Sequence, residues 1–351
     1  MPDGKAFELS CPVPIHRYER VVMAHGGGGR LMQQLIDQVF RPAFGTVKPE
    51  YQHDAAVLEA APVRLAFTTD SYVIQPIFFP GGDIGRLAVF GTVNDLAMAG
   101  ACPRWLSCSL ILEEGFPMAD LWRIVESMAA AAREAEVELV TGDTKVVDRG
   151  KGDGVFVNTA GVGVIEHELA IGAQSLRPGD ACIVSGDLGR HGVAVMNARE
   201  NLGLQTTLTS DLAPLREPVL RLLAAPLEIH CLRDLTRGGL GAALVELATA
   251  AGLDIRIRES DVPVSEPVRA ACEILGLDPL FMANEGRFVL FLPAAQAPTA
   301  LEILRSLEVT AEARIIGSVE ESEGGTVIVE SFLGGERLLD LPSGEQLPRI
   351  C

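Results

Sequence analysis

The chain has 351 residues, 48% apolar and 22% charged, a balance ordinary for globular chains, for which disorder is not the default, and one that supplies core material for about two domains. Its formal charge of -18, from 29 basic and 47 acidic residues, would repel a nucleic-acid backbone or an anionic membrane face, so neither is an expected partner. The opening MPDGKAFELS lacks an apolar signal core, and no run approaches the roughly 18 apolar residues of a membrane helix, which gives a cytoplasmic expectation.

In chain order, the apolar spacing predicts a helix over 31–40, a strand over 63–69, a helix over 84–99 and a strand over 104–112. The clearest helix is 118–134, entered at Pro117, where Leu121, Ile124, Val125, Met128 and Ala132 form one stripe. Strands follow over 138–141 and 155–165, then a break over 172–179, where glycines and a proline mark a domain boundary. Beyond it come strands over 181–185, 254–258, 287–292 and 327–330, interleaved with helices over 215–223, 240–251, 266–275 and 295–307. The class is therefore α/β or α+β. From Ser331 the glycine and proline pairs leave no room for a long element, and 331–351 reads as a mobile tail. The seven cysteines are scattered, with no CxxC pair, and most read as reduced core thiols.

Three groups of residues could carry chemistry. The run His25-Gly26-Gly27-Gly28-Gly29-Arg30 precedes a helix, so its amides could approach a phosphate closely; a flexible linker is the plainer reading. It also resembles the HGGG segment of lipases, but a serine hydrolase would need a GxSxG elbow, which is absent, as are Walker A and Rossmann patterns.

Acids form the second group: Asp54, Asp70, Asp83, Asp95 and Asp143 sit at strand ends and helix starts. Each taken singly could be a turn or cap residue. Taken together, with Asp70 and Asp143 each closing an apolar strand, they supply hard oxygen ligands for Mg²⁺ and a polyphosphate, and Lys145 lies beside Asp143 as a point charge. The third group is the polar turns SGDLGRHG, containing His191, HCLRDLTRGG, containing Asp234, and ANEGR, containing Glu285.

Read together, AHGGGGRL, FTTDSYVIQPIFFPGGDIGRLAVFGTVNDLAMAGA, TGDTKVV, SGDLGRHGVAVMNARE, RDLTRGGL, ANEGRF and the terminal PRIC resemble the HypE family of hydrogenase maturation proteins, in family order from about Val21 to Cys351. That family shares a superfamily with aminoimidazole ribonucleotide synthetase, selenophosphate synthetase and thiamine-monophosphate kinase. The resemblance implies a two-domain PurM-like fold: an N-terminal ATP-binding and dimerising sheet domain over 21–172, an α/β domain over 173–330, and a tail over 331–351 carrying an acceptor cysteine. Residues 1–20, with Cys11, form an extension outside it.

The implied activity is ATP-dependent dehydration of a carbamoyl group on Cys351 to a thiocyanate, after loading by the carbamoyltransferase HypF and before delivery to iron on HypC and HypD. Lys145 and Glu285 would act in the chemistry, with His191 or His25 assisting. His25, Gly27, Gly28, Asp54, Asp70, Asp83, Asn94, Asp95, Gly142, Asp143, Asn158 and Asp234 would hold the nucleotide, with Mg²⁺ on Asp54, Asp70, Asp95 and Asp143. The chain departs from the family pattern at Asp187, Arg190 and Leu235, none of them assigned to chemistry. A small-molecule kinase of the same superfamily would have no use for a terminal cysteine, and a non-catalytic carrier would have no use for the acids.

Overall fold

The computed structural model describes residues 29–40, 54–60, 62–200, 207–321 and 324–341, so His25, Gly27, Gly28, the extension 1–20 and Cys351 lie outside the described residues. The first domain is a five-stranded sheet of β1 (Ala56–Ala60), β2 (Val63–Tyr72), β5 (Cys102–Glu113), β6 (Glu138–Val147) and β7 (Val155–Ile165), in the order β1-β2-β7-β5-β6. Only β5 and β6 run parallel. A small hairpin, β3 (Phe78–Phe79) with β4 (Gly82–Asp83), leads into the helices. Before the sheet, α1 (Arg30–Leu35) continues as a π-helical turn through Ile36–Phe40.

Along β7 burial alternates strictly, the pattern of a sheet covered on one face. The cover is α2 (Ile84–Met98), backed by α3 (Met118–Glu134). Asp83 caps α2, accepting from the amides of Gly85 and Arg86, and the helix ends where Gly100 turns with φ +74°. Thirteen of the fifteen residues of α2 are buried, because the helix has the first sheet on one side and the second domain on the other. The α3 stripe centres on Ile124, Met128, Ala131 and Ala132; Val125, expected within it, is exposed because only one narrow side of α3 is covered.

The second domain is a seven-stranded sheet: β8 (Asp180–Val184), β9 (Cys231–Asp234), β10 (Asp254–Arg258), β11 (Phe288–Pro293), β12 (Arg314–Glu320), β13 (Val327–Glu330) and β14 (Glu336–Leu339), in the order β14-β13-β10-β12-β8-β11-β9. Here β8 is buried throughout and β11 along 288–292, with Pro293 at its end half-buried. Cys182 and Val184 pack with Leu240 and Leu244 of α6 (Gly239–Ala251), while Ala181 and Ile183 pack on the other face with α5 (Arg216–Ala224) and α8 (Ala297–Arg305). Helices α4 (Arg190–Glu200) and α7 (Glu266–Leu275) complete the layer.

The structure corrects three expectations. Strand β6 does not stop at Thr141 but runs to Val147, held by its ladder to β5, so Gly142, Asp143 and Lys145 lie within a strand; Asp70 likewise lies inside β2. The tail does not begin at Ser331, because the turn closed by Ser331 and Gly335 returns the chain as β14 against β13. The polar turn at 185–192 passes into α4, which the sequence reading did not anticipate.

Gly91, in the interior of α2, illustrates how closely the layers meet. A Cβ there would overlap the hydroxyl of Tyr72, itself 3.4 Å from Thr92 Oγ1 and fully buried. Gly→Ala inside a helix ordinarily adds up to about 1 kcal/mol of stability. Gly91→Ala is instead expected to lower it by about 1–3 kcal/mol, the range for overpacking, as read by denaturant unfolding, and Tyr72→Phe in the same chain should return part of the loss.

Candidate active site

The seam between the domains collects carboxylates from three elements. Asp54 precedes β1, Asp95 sits on α2 and Asp234 ends β9, and one oxygen from each lies within 4.8 Å of the others. Thr68 Oγ1 stands 2.9 Å from Asp95 Oδ2 and 3.0 Å from the carbonyl of Asp54, tying β2 to the group. Arg233 pairs with Asp54 at 2.9 Å and with Glu246 at 2.9 Å, and Gln33 of α1 donates to Glu246, so the start of α1 stands beside the same cluster.

Burial pushes Asp95 and Asp234 well above the usual carboxylate range, and their neighbours add to it: Asp234, Asp54 and Asp70 around Asp95, and Asp54 around Asp234. Burial also raises Asp70, against the opposing pull of Arg237. Glu285, in the loop before β11, is driven up by burial first and then by Asp234, Asp211 and Asp70; it is 3% exposed, and its Oε1 has no hydrogen-bond partner among the described residues. A pocket of hard oxygen donors with more negative charge than its arginines offset, and with a further buried carboxyl within electrostatic reach of Asp234, fits a divalent cation.

The sequence reading placed Asp143 among the metal ligands, and β-strand periodicity separates it from them. Ser71, Asn158, Ser109 and Asp143 lie opposite one another across β2, β7, β5 and β6, on the open face of the sheet, whereas Asp70, Thr159, Cys108 and Gly142 share the face that α2 covers. Asp143 is exposed and ion-paired with Lys145 at 2.7 Å, and that partner holds its carboxyl below the usual range. Asn158 donates to the carbonyl of Asp70 at 2.8 Å and to Ser71 Oγ at 3.0 Å, across the sheet. Within one chain, Asp234 completes the acid group that Asp143 was expected to join.

Other expected site residues serve the frame. Both carboxylate oxygens of Asp83 are engaged, by the capped amides and by Ser127 at 2.6 Å. His191 is fully buried, its Nδ1 2.8 Å from Ser210 Oγ and its ring edge-on to Phe79. Asn94 spends both amide hydrogens on the carbonyls of Ala213 and Glu285, and its oxygen accepts from the amide of Leu215. The sequence reading passed over Thr68, Arg233, Glu246 and Asp211. Of these, Arg233 carried a readable sign, a basic residue directly before Asp234 in a short apolar run.

Residues 52–165 match the family described as AIR synthase related protein, N-terminal domain, and residues 177–330 its C-terminal domain. The chain is 54% identical over 331 residues to the carbamoyl dehydratase HypE of Azotobacter vinelandii, covering 94% of this chain and 97% of that protein. Among solved structures it resembles the hydrogenase maturation protein HypE in complex with ATP, with TM-score 0.80, 46% identity and coverage of 95% of this chain and 100% of that one. It also resembles a chain of the HypE-HypF complex, with TM-score 0.83, 44% identity and coverage of 88% and 99%. Two matched domains and this identity over nearly the whole length place the chain in the HypE family of carbamoyl dehydratases.

Proposed function

We propose that the protein uses ATP to dehydrate a carbamoyl group carried as a thiocarbamate on Cys351, leaving a thiocyanate that supplies cyanide to the iron of a [NiFe] hydrogenase. The observation that carries this reading is the convergence of Asp54, Asp95 and Asp234 with the buried Glu285 at the domain seam, in a chain 54% identical to a carbamoyl dehydratase. Asp54, Asp95 and Asp234, with Asp70, would hold Mg²⁺, which when bound would neutralise the phosphates of ATP.

The carbamoyl oxygen takes the γ-phosphoryl group from ATP, releasing ADP, and the C–O bond then breaks as phosphate leaves. The nitrogen gives up two protons in all, one on phosphorylation and one on elimination, so that the carbon ends as a nitrile on sulfur. Glu285, whose proton affinity is raised by its surroundings, stands at the seam as an acceptor for a nitrogen proton. Arg237, on the loop after β9, offsets part of the acid charge. Lys145 would polarise the carbamoyl oxygen or the γ-phosphate.

HypF would load the thiol, and a complex of HypC with HypD would receive the cyanide, in the cytoplasm. The protein would act as a homodimer through the open face of the five-stranded sheet, where Phe67 of β2 and Trp105 and Ile111 of β5, on either side of β7, are 43–45% exposed. Asp143 and Lys145 lie on that face, so their access to a nucleotide would come across the two-fold contact.

Asp95→Asn and Asp234→Ala should each lower Mg²⁺-dependent ATP turnover by about 100-fold or more, as a lost metal ligand does, with circular dichroism unchanged. Because the apo site crowds like charges, Mg²⁺ alone should raise the melting temperature, and neither variant should show the full rise. Lys145→Ala and Glu285→Gln proteins, loaded by HypF, should accumulate the carbamoylated C-terminal peptide in mass spectra, and Cys351→Ala should carry neither carbamoyl nor cyano adduct. Light scattering should report a dimer that Trp105→Asp shifts toward monomer; a wild-type monomer at micromolar concentration would remove the proposed contact.

A further inference from the structure

Glu285 is useful as a proton acceptor only if its carboxyl is held against the acid cluster, yet it comes from a loop rather than from a strand or helix. The loop is gripped from two sides. Asp211, 4% exposed, accepts the amide of Glu285 at 3.4 Å and that of His191 at 3.1 Å on Oδ1, and the amide of Gly286 at 3.2 Å on Oδ2. Asn94, 2% exposed, donates from Nδ2 to the carbonyl of Glu285 at 3.3 Å and to that of Ala213 at 3.1 Å, and accepts the amide of Leu215 at 2.7 Å.

The two grips close on each other, since Ala213 and Leu215 follow Asp211 along one short irregular segment before α5. The fit is tight as well as polar: a Cβ at Gly286 would overlap the carbonyl oxygen of Asp211. Asn94 has two amide hydrogens and both are used inside the protein, so no donor remains for a nucleotide. It is also the residue before Asp95 on α2, so one helical turn fixes a carboxylate of the acid cluster and the backbone that carries Glu285.

We propose that Asn94 and Asp211 are positioning residues that clamp the backbone of Glu285 between the two domains, and that Asn94 does not bind the nucleotide. This rests on the reading of Glu285 as the proton acceptor. It assigns to Asp211, absent from the sequence-based site, an effect on the chemical step that passes through Glu285 alone.

The test combines Asp211→Ala, Asp211→Asn and Asn94→Ala with Glu285→Gln in the full chain. It reads single-turnover conversion of the HypF-loaded tail, Mg²⁺-ATP affinity, and amide hydrogen exchange over residues 285–286. Asp211→Ala should slow conversion roughly 10- to 100-fold, the scale of a misplaced catalytic group, while ATP affinity stays within about twofold. Asp211→Asn keeps the acceptor Oδ1 for the amides of Glu285 and His191 while losing the bond to Gly286 and the negative charge beside Glu285, so it should recover most of the rate if the clamp is what matters; it also serves if the alanine variant folds poorly. In the Glu285→Gln background Asp211→Ala should add no further slowing, because the two act as a unit.

Exchange at 285–286 should quicken in Asp211→Ala and in Asn94→Ala, with the cores unaffected. Full additivity with Glu285→Gln, unchanged exchange at 285–286, or a loss of ATP affinity in Asn94→Ala with normal conversion of bound ATP would each overturn the clamp. Full conversion by Glu285→Gln alone would instead remove the acceptor role, leaving the exchange measurement to decide whether the backbone is clamped.

Discussion

Asp54, Asp95 and Asp234 crowd their carboxylate oxygens within 4.8 Å of one another at the seam of two sheets, where burial raises the cost of every charge. Such an arrangement destabilises a protein unless the surrounding packing holds it, and here the holding element is α2. Its apolar residues fill the first core from one side, and its polar dipeptide Asn94-Asp95 reaches the second domain on the other. Arg233 and Arg237 offset only part of the negative charge, which leaves the site with a net negative potential that a neutral pocket would lack.

Much of the frame could be read from the sequence, because the elements that bury a continuous surface have a clear period. The helix over 118–134 and the strand over 155–165 were legible for that reason, and their bounds in the fold agree with the reading. Elements that were missed are short or mixed. Strands β9 and β14 have four residues each, too few for periodicity to declare itself, and both owe their conformation to neighbours in the seven-stranded sheet. Helix α4 starts in a glycine-bearing motif whose polar residues suggest a turn; what makes it a helix is the docking of its first turn on Asp211 and Ala283.

The candidate site was legible in its residue types and less so in its grouping. Asp54, Asp70 and Asp95 could be named because several acids in turn-like contexts are hard to explain singly, although Asp70 proves to lie inside β2 and Asp95 within α2. Which acid joins them depends on which face of β6 an aspartate occupies, and that is set by ladder register rather than by local sequence. The same limit hid Asp211, which lies in an irregular segment and whose partners, His191, Glu285 and Gly286, are distant in the chain. Asn94 was picked out for the right segment, but its three hydrogen bonds to the second domain could be counted only in the folded chain.

Strand β14 ends at Leu339 on the outer edge of the second sheet, fixed by its ladder to β13, with Asp340 meeting Arg30 at the start of α1. The ion pair is exposed and adds little, so the ladder is what fastens the chain there. From Leu341 to Cys351 the polymer can span at most about 35 Å whatever path it takes, at roughly 3.3–3.6 Å per residue. A thiol confined to that radius around a fixed point is a substrate at an effective concentration on the order of millimolar, a value set by tether length and unaffected by dilution of the protein. For a substrate group carried on the enzyme's own chain, turnover would then follow how often the tether is reloaded, and saturation in the ordinary sense would describe only the nucleotide.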